Sequence, residues 1–467
     1  MTSPLALLEA LPPLHALMCR FETDTPACSV YPSPNRFVEA IGADDVAQAM
    51  RLRGLGRSVG GAAPLAVQVS LPLCERPCTP CTCRQVVTRR HASAARYLRG
   101  LQQELAAAAD ALGPRQVAAR IHVGGATPLF MSDEQLGQLV ASLRAAFSVA
   151  DDADLSIEAA ESLCTPERAA HLRATGFDRL TLMLDDSADD HGDGALHDNR
   201  LAHVVAGARA AGFSGVAVVL ACGSPRLGAA QQARVVRRVT AARPDRIRIV
   251  RHAGAPGGPR AFLAAGAADP AAAIDRSARL LSAIEALQSA GYVHLGLDEF
   301  ALPADPLCRA HRQGRLHLGP CGFSARPVGD VLALGAGAVG RIGSVAYQNV
   351  AELSRFYDAL AAGALPVARG LALSRDDLAR RGVILGLLCQ GRVDFESISL
   401  AHLIDMRDAF AREFALLGPL VQAGLVDVDD EAMELTATGR WFAPVVAAVF
   451  DRELQRDVLR GRLGRGE

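Results

Sequence analysis

The chain contains no lysine: all 49 of its fixed cationic side chains are arginine. The simplest explanation is a base composition that also favours alanine and glycine. The chemical consequence is that a carboxylate-bearing ligand must be gripped by guanidinium groups or backbone amides. A net excess of either sign of charge is also missing. Against 50 acidic side chains the formal net charge is −1, which excludes a general electrostatic footprint for nucleic acid or an anionic membrane. No stretch approaches the roughly 18 consecutive apolar residues of a membrane span. Residues Met1 to Cys19 show neither a positive n-region nor an unbroken apolar core, so they do not read as a secretory signal. What is present in quantity is hydrophobic side chain, 50% of 467 residues, enough for one large domain and a smaller one.

Cysteine is the informative residue. Eleven of them, an odd number, with no export signal, place the chain in a reducing compartment, and a cytoplasmic location is expected. Four fall within ten residues, Cys74, Cys78, Cys81 and Cys83. The first three are spaced C-x3-C-x2-C, which lets one short loop hold three irons of a [4Fe–4S] cubane and leaves the fourth iron open. An open iron can chelate the amino and carboxylate groups of S-adenosylmethionine (SAM) and drive its reductive cleavage to a 5′-deoxyadenosyl radical. Structural zinc usually takes two separated Cys or His pairs, and no second pair of matching spacing follows. A redox pair at Cys78 and Cys81 would leave the other thiols unexplained. Cys83 reads as a non-ligand, because the loop can hardly turn back two residues after Cys81. The other seven cysteines (Cys19, Cys28, Cys164, Cys222, Cys308, Cys321, Cys389) read as small buried hydrophobes.

Short apolar strands and longer helices alternate from about residue 65 to 300. Strands are expected at Leu65–Leu73, Val117–Val123, Leu155–Ala159, Arg179–Leu184, Val216–Ala221 and Arg246–Val250. Ser132 with Gln135 forms a capping-box start, and Thr165 with Pro166 an N-cap followed by a first-turn proline. Six strands alternating with helices imply a parallel sheet with right-handed crossovers, either barrel-like or doubly wound. In a barrel, the loop after the first strand would put the cluster at the carboxyl end of the sheet. There the turn Gly124–Pro128 offers a surface for the methionyl amino group of SAM, and Glu158 an anion for its cationic end. A Gly-rich stretch, His311–Gly343, is expected to cross over the sheet. Beyond it a helix capped by Ser374, a helix Ala409–Gln422 and a hairpin at Leu425–Val428 and Ala432–Thr438 form a helix-rich unit. That unit lacks a basic recognition helix. The expected divisions are an N-terminal segment 1–60, a barrel 61–305, a crossover segment 306–370 and a C-terminal helical domain 371–467.

These residues resemble the oxygen-independent coproporphyrinogen III oxidases. Cys74–Cys83 is similar to their C-x3-C-x2-C-x-C signature, Gly124–Pro128 to their Gly-Gly-Gly-Thr-Pro turn, and Ser156-Ile157-Glu158 to their third strand. Tyr31-Pro32-Ser33 with Arg36-Phe37-Val38-Glu39 is similar to their N-terminal segment. Gly296–Ala301 is similar to their Met-Asp-His-Phe-Ala stretch, with Glu299 in place of the histidine. Tyr347-Gln348-Asn349 and Arg369–Asp377 match their C-terminal blocks. No His-Asn-x-x-Tyr-Trp stretch of the related haem chaperones is present.

The resemblance implies a partial (β/α)6 radical-SAM barrel with a helix-rich C-terminal domain. It implies oxidative decarboxylation of two propionates of coproporphyrinogen III to vinyls in haem biosynthesis, with an oxidoreductase's need for an electron donor such as flavodoxin or ferredoxin. A paralogue acting on a different tetrapyrrole, or a haem-binding protein on the same scaffold, is the alternative. For the cluster-bound SAM the implied positions are Gln68, Pro80, Gly125, Glu158, Ala253 and Val339, with Gln68 and Pro80 replacing aromatic residues. For the family's second SAM they are Ala126, Thr127 and Asp185. Ala126 replaces glycine, Asp185 glutamine and Val219 aspartate, and Ser70 stands where the family has histidine. The expectation is therefore a retained radical-generating site beside a rewritten second site. No side chain is assigned a catalytic role from the sequence.

Overall fold

The computed structural model describes residues 13–21, 31–60, 64–75, 86–114, 116–184, 194–224, 227–251 and 270–453. An N-terminal helix, α1 (Ala43–Gly60), leads into the first strand. All six expected strands form: β1 (Leu65–Leu71), β2 (Val117–Gly125), β3 (Ser148–Ala160), β4 (Arg179–Met183), β5 (Gly215–Cys222) and β6 (Arg246–Arg251). They lie side by side in sequence order and every pairing is parallel. Helices α2 (Ala92–Leu112), α3 (Asp133–Ala146), α4 (Pro166–Thr175), α5 (Gly194–Ala210) and α6 (Ala229–Ala242) connect them in turn. The alternation leaves open both barrel-like and doubly wound sheets; the parallel order, with a helix joining each successive pair of strands, is that of the partial barrel implied by the family resemblance.

The local signals act as read. Ser132 Oγ accepts from Gln135 N while the Gln135 side chain accepts from Ser132 N, closing the capping box. Thr165 caps α4 by accepting from Arg168 N. In β1, Val67, Val69 and Leu71 are buried while Gln68 and Ser70 are only partly so, so the polar residues share the inner face of the curved sheet.

Two hydrogen-bonded strands, β7 (Val293–Gly296) and β8 (Glu299–Ala301), add to the β6 edge, β8 running antiparallel to β6. The Gly-rich stretch then crosses the sheet, from the β8 edge to the β1 edge, as expected. It carries a small hairpin, β9 (His317–Gly319) with β10 (Gly322–Ser324), before β11 (Val331–Leu334) pairs parallel with β1. Strands β12 (Val339–Ile342), β13 (Val345–Asn349) and β14 (Val367–Ala372) continue antiparallel and complete a twelve-stranded sheet.

A buried polar clasp fastens this extension to α2 behind β1. Tyr97 Oη donates to the Ser70 carbonyl and accepts from Ala336 N, both at 2.8 Å. Glu104 accepts from Gly335 N at 2.7 Å and from Asn349 Nδ2 at 2.5 Å. Gly335 has φ +99°, and a Cβ there would strike the Ser70 carbonyl, so the close approach requires glycine. Burial pushes the Glu104 carboxyl up to about 8.

In the C-terminal unit α7 (Arg375–Gln390) starts at a capping box between Ser374 and Asp377. Asp377 also takes Arg36 Nη1 at 2.7 Å and Tyr31 Oη at 3.3 Å, so the N-terminal and C-terminal blocks of the family resemblance meet in one ion-paired contact. The helix expected at Ala409–Gln422 runs from Ala411 to Gln422 behind a separate turn, Met406–Ala409. The expected hairpin, Val426–Val428 with Ala432–Leu435, gains a third strand, Arg392–Asp394.

Candidate active site

The carboxyl ends of β1, β2 and β3 gather five of the residues singled out from the sequence: Cys74, Gly125, Ala126, Thr127 and Glu158. After β1 the chain bends at Pro72 and reaches Cys74, whose buried thiol lies 3.2 Å from Thr127 Oγ1. The turn that carries Thr127 is clamped onto β1, with Ala126 N donating to the Leu71 carbonyl at 2.7 Å. Gly125 has φ +116°, and a Cβ there would meet the Leu71 carbonyl oxygen at 2.6 Å and its nitrogen at 2.8 Å. The glycine is therefore demanded by backbone-to-backbone contact as well as by its dihedral.

Glu158 rises from β3 beside this turn and accepts from Gly125 N through Oε2 at 3.2 Å. Its other oxygen is 3.6 Å from His122 Nε2, and His122 Nδ1 lies 2.8 Å from Ser156 Oγ. Strand register explains the trio, since His122 is aligned with Ser156 across the β2–β3 pair and both point to the inner face. Gly124 leaves room for the pair, because a Cβ would stand 2.6 Å from His122 Nε2 and 2.7 Å from Glu158 Oε2. Burial opposes a charged His122, but the Cys321 thiol and the Glu158 carboxylate outweigh it and lift the imidazole to about 10. Burial likewise opposes a charged Glu158, but its own contacts with His122, the Arg248 charge and the Gly125 N–H together hold its carboxyl below the usual range. The result is an ionised carboxylate oriented at a backbone turn beside a cysteine thiol.

These residues fit the group expected from the cysteine motif. One thiol of the triad, a backbone turn without side-chain obstruction and an anion suited to an ammonium group stand together. Gln68 sits lower on the same inner face, level with His122. Val339 lies two strands from β1, on β12, packed against the cluster of Phe37, Ala346 and Leu373. Cys78, Cys81, Pro80, Asp185 and Ala253 lie outside the described residues, as do Cys28 and Cys83. Of the isolated cysteines, Cys164, Cys222, Cys308 and Cys389 are buried as expected. Cys19 and Cys321 are only partly buried, and Cys321 faces the barrel interior beside His122.

Sequence reasoning passed over His122, the residue that orders Glu158. The available signal was a polar side chain at an inward position of the strand, two residues before the Gly-Gly turn. It also passed over the arginines that reach the interior, Arg120, Arg179, Arg246 and Arg248. Arg326 is a surface residue paired with Asp152.

The match to known proteins covers nearly the full chain. Residues 373–442 match the HemN C-terminal domain model. The oxygen-independent coproporphyrinogen III oxidase of Escherichia coli is 32% identical over 447 residues, covering 94% of this chain and 95% of that protein. The enzymes of the same name from Salmonella typhimurium and Pseudomonas aeruginosa are 31% and 30% identical over the same shares. The structure of coproporphyrinogen III oxidase (HemN) from Escherichia coli, a radical SAM enzyme, superposes with a TM-score of 0.81 at 30% identity, over 91% of this chain and 97% of that one. With that similarity in sequence and in fold, the chain belongs to the oxygen-independent coproporphyrinogen III oxidase family.

Proposed function

We propose that this chain is a radical SAM oxidoreductase that decarboxylates propionate side chains of coproporphyrinogen III to vinyl groups, a step of haem biosynthesis. The single observation that carries the reading is the meeting of the Cys74 thiol, the Gly125 turn and the ionised Glu158 at one barrel edge, in a chain of this family. When bound, a [4Fe–4S] cluster and SAM supply the hydrogen-abstracting radical chemistry. Cys74, Cys78 and Cys81 would hold three irons, and the fourth is left for SAM. Glu158 accepts from Gly125 N with one oxygen and keeps lone pairs for the SAM ammonium. Gly125 leaves the turn open to it, and Thr127 sits against Cys74 to fix the start of the loop. Gln68, Pro80, Ala253 and Val339 are the remaining proposed contacts for this SAM.

Ala126, Thr127 and Asp185 are the positions for a second SAM, and that site is rewritten. Val219, standing where the family resemblance has aspartate, is a buried apolar residue on β5. Losing a polar partner in a buried site costs about 1–3 kcal/mol, and several such losses weaken binding by powers of ten. One SAM per chain is expected by calorimetric titration, and two would overturn this part of the reading. A reduced flavodoxin or ferredoxin is the proposed electron donor and the cytoplasm the proposed location. No helix among the described residues is long and apolar enough to cross a membrane.

The test is anaerobic incubation of the reconstituted protein with SAM, a low-potential reductant and coproporphyrinogen III. Protoporphyrinogen IX with 5′-deoxyadenosine is the expected outcome. Deoxyadenosine without that product would transfer the reading to a paralogue with another tetrapyrrole substrate.

A further inference from the structure

Beside His122 the barrel interior holds a partly open cavity of about 60 Å³, lined in part by Cys321 and Phe323 of the crossing hairpin. A water needs only about 10–15 Å³ of such space, so a carboxylate group fits. Its wall is unusually rich in cations. Arg179 is held by Asp154 at 2.9 Å and Arg246 by Asp305 at 2.8 Å. Arg248 Nε stands 3.4 Å from Glu299 Oε1 without hydrogen-bond geometry. Glu299 is the residue that replaces the family's histidine, and its Oε2 is occupied by Phe323 N at 3.2 Å.

Arg120 has no carboxylate within ion-pair distance among the described residues. Its Nη2 donates to the Phe323 carbonyl at a long 3.5 Å, while Nε and Nη1 are buried and meet no acceptor among those residues. A guanidinium cannot shed its charge, and a buried charge left uncompensated costs several kcal/mol. Four cationic partners of this interior (His122, Arg179, Arg246, Arg248) match four carboxylates (Glu158, Asp154, Asp305, Glu299). Arg120, which Asp154 reaches only at longer range from the neighbouring strand, is the cation with no ion pair of its own among the described residues.

We infer that Arg120 and Arg248 form a carboxylate-binding subsite inside the barrel. Arg248 Nη2 donates to the Cys321 carbonyl at 3.4 Å, but Arg120 Nε and Nη1 and Arg248 Nε are buried donors without a hydrogen-bond acceptor among the described residues, the arrangement that a planar two-oxygen anion satisfies. The same interior carries Val219 and Glu299, two of the chain's departures from its family. The ligand is a carboxylate, either free as a small acid or borne on a flexible arm of a larger substrate.

The test uses the full chain, reconstituted anaerobically and titrated with [1-13C]propionate while the carboxyl resonance is followed. Saturable broadening is expected from the wild type, with propionamide inert. Arg120→Gln should weaken binding at least tenfold and Arg120→Lys less. Cluster absorbance and melting temperature report whether each variant folds, and Arg248→Gln probes the same subsite if Arg120→Gln does not. Displacement of labelled propionate by coproporphyrinogen III assigns the carboxylate to the substrate arm, and its persistence assigns a free acid. No saturable broadening, an equal response to propionamide, or unchanged binding in both glutamine variants would overturn the inference. SAM cleavage by the same preparation tests the proposed reaction independently, so the two readings can fail separately.

Discussion

Replacing His122 by alanine strips Glu158 of its nearest cation and leaves the carboxylate with the more distant Arg248 charge and one long hydrogen bond, from Gly125 N at 3.2 Å. The charges are separated by 3.6 Å, with side chains 8% and 21% exposed, so solvent screens them little. At an effective dielectric of about 20 the gross attraction at that distance is roughly 4–5 kcal/mol. Breaking a buried pair from one side typically costs about 3–5 kcal/mol, because the partner's charge stays behind. Part of that cost is relieved when Glu158 takes up a proton, and a neutral Glu158 cannot attract an ammonium group. His122→Ala is therefore expected to weaken SAM binding about ten- to a hundredfold by anaerobic calorimetry, with the cluster absorbance retained. In a double-mutant cycle with Glu158→Gln the two losses should be strongly non-additive. The pH profile supplies a second readout. With Glu158 depressed and His122 lifted to about 10, the pair's stabilisation is present between the unfolded values of about 4.5 and 6.5. It fades as acid protonates Glu158 below that window and as base approaches pH 10, whereas the variant's SAM affinity should decline already as pH falls towards neutrality. Unchanged SAM affinity in His122→Ala, or additive losses in the cycle, would refute the assignment of His122 as the residue that positions Glu158.

Three further outcomes follow from the same structure. Glu104 is neutral in the folded protein up to about pH 8 but ionises near 4.5 when unfolded. The unfolded state then binds fewer protons, so denaturant stability should fall across that interval by an amount on the order of a few kcal/mol, and Glu104→Gln should flatten the slope. Gly125→Ala drives a Cβ to within 2.6–2.8 Å of Leu71 backbone atoms. It should cost at least about 2 kcal/mol in stability and lower SAM affinity measurably. Arg380 donates to Glu413 at 2.7 Å and packs over Phe410, and both members of the ion pair are buried. Arg380→Met should destabilise the protein by about 3–5 kcal/mol in urea melts, and adding Glu413→Leu should recover much of that loss.

The six barrel strands were legible because each is a short apolar run bounded by turn residues, and their parallel order follows from the helices between them. Caps at Ser132, Thr165 and Ser374 were legible because a cap is a contact between residues three apart in the chain. The cysteine spacing and the Gly-Gly turn were legible for the same reason of locality. By contrast, His122, Arg120, Arg248 and Cys321 come from β2, β6 and the crossing segment, and no local pattern relates them. Nor did the Gly-rich stretch announce that β11 would pair with β1, because that register depends on a partner more than 250 residues away.

The amino-acid sequence by itself determined the strand–helix alternation, the iron-ligand spacing, the absence of lysine and, through those residues, the family. These are short-range properties, set by side-chain chemistry and chain sterics over a few residues. Tertiary structure alone decided which charges are matched. The strand pleat turns every second residue inward, so arginines and carboxylates distant in sequence share one barrel interior where breaking a pair from one side costs several kcal/mol. In that interior Glu158 is ordered by His122, and Arg120 is left as the cation with no carboxylate within ion-pair distance among the described residues.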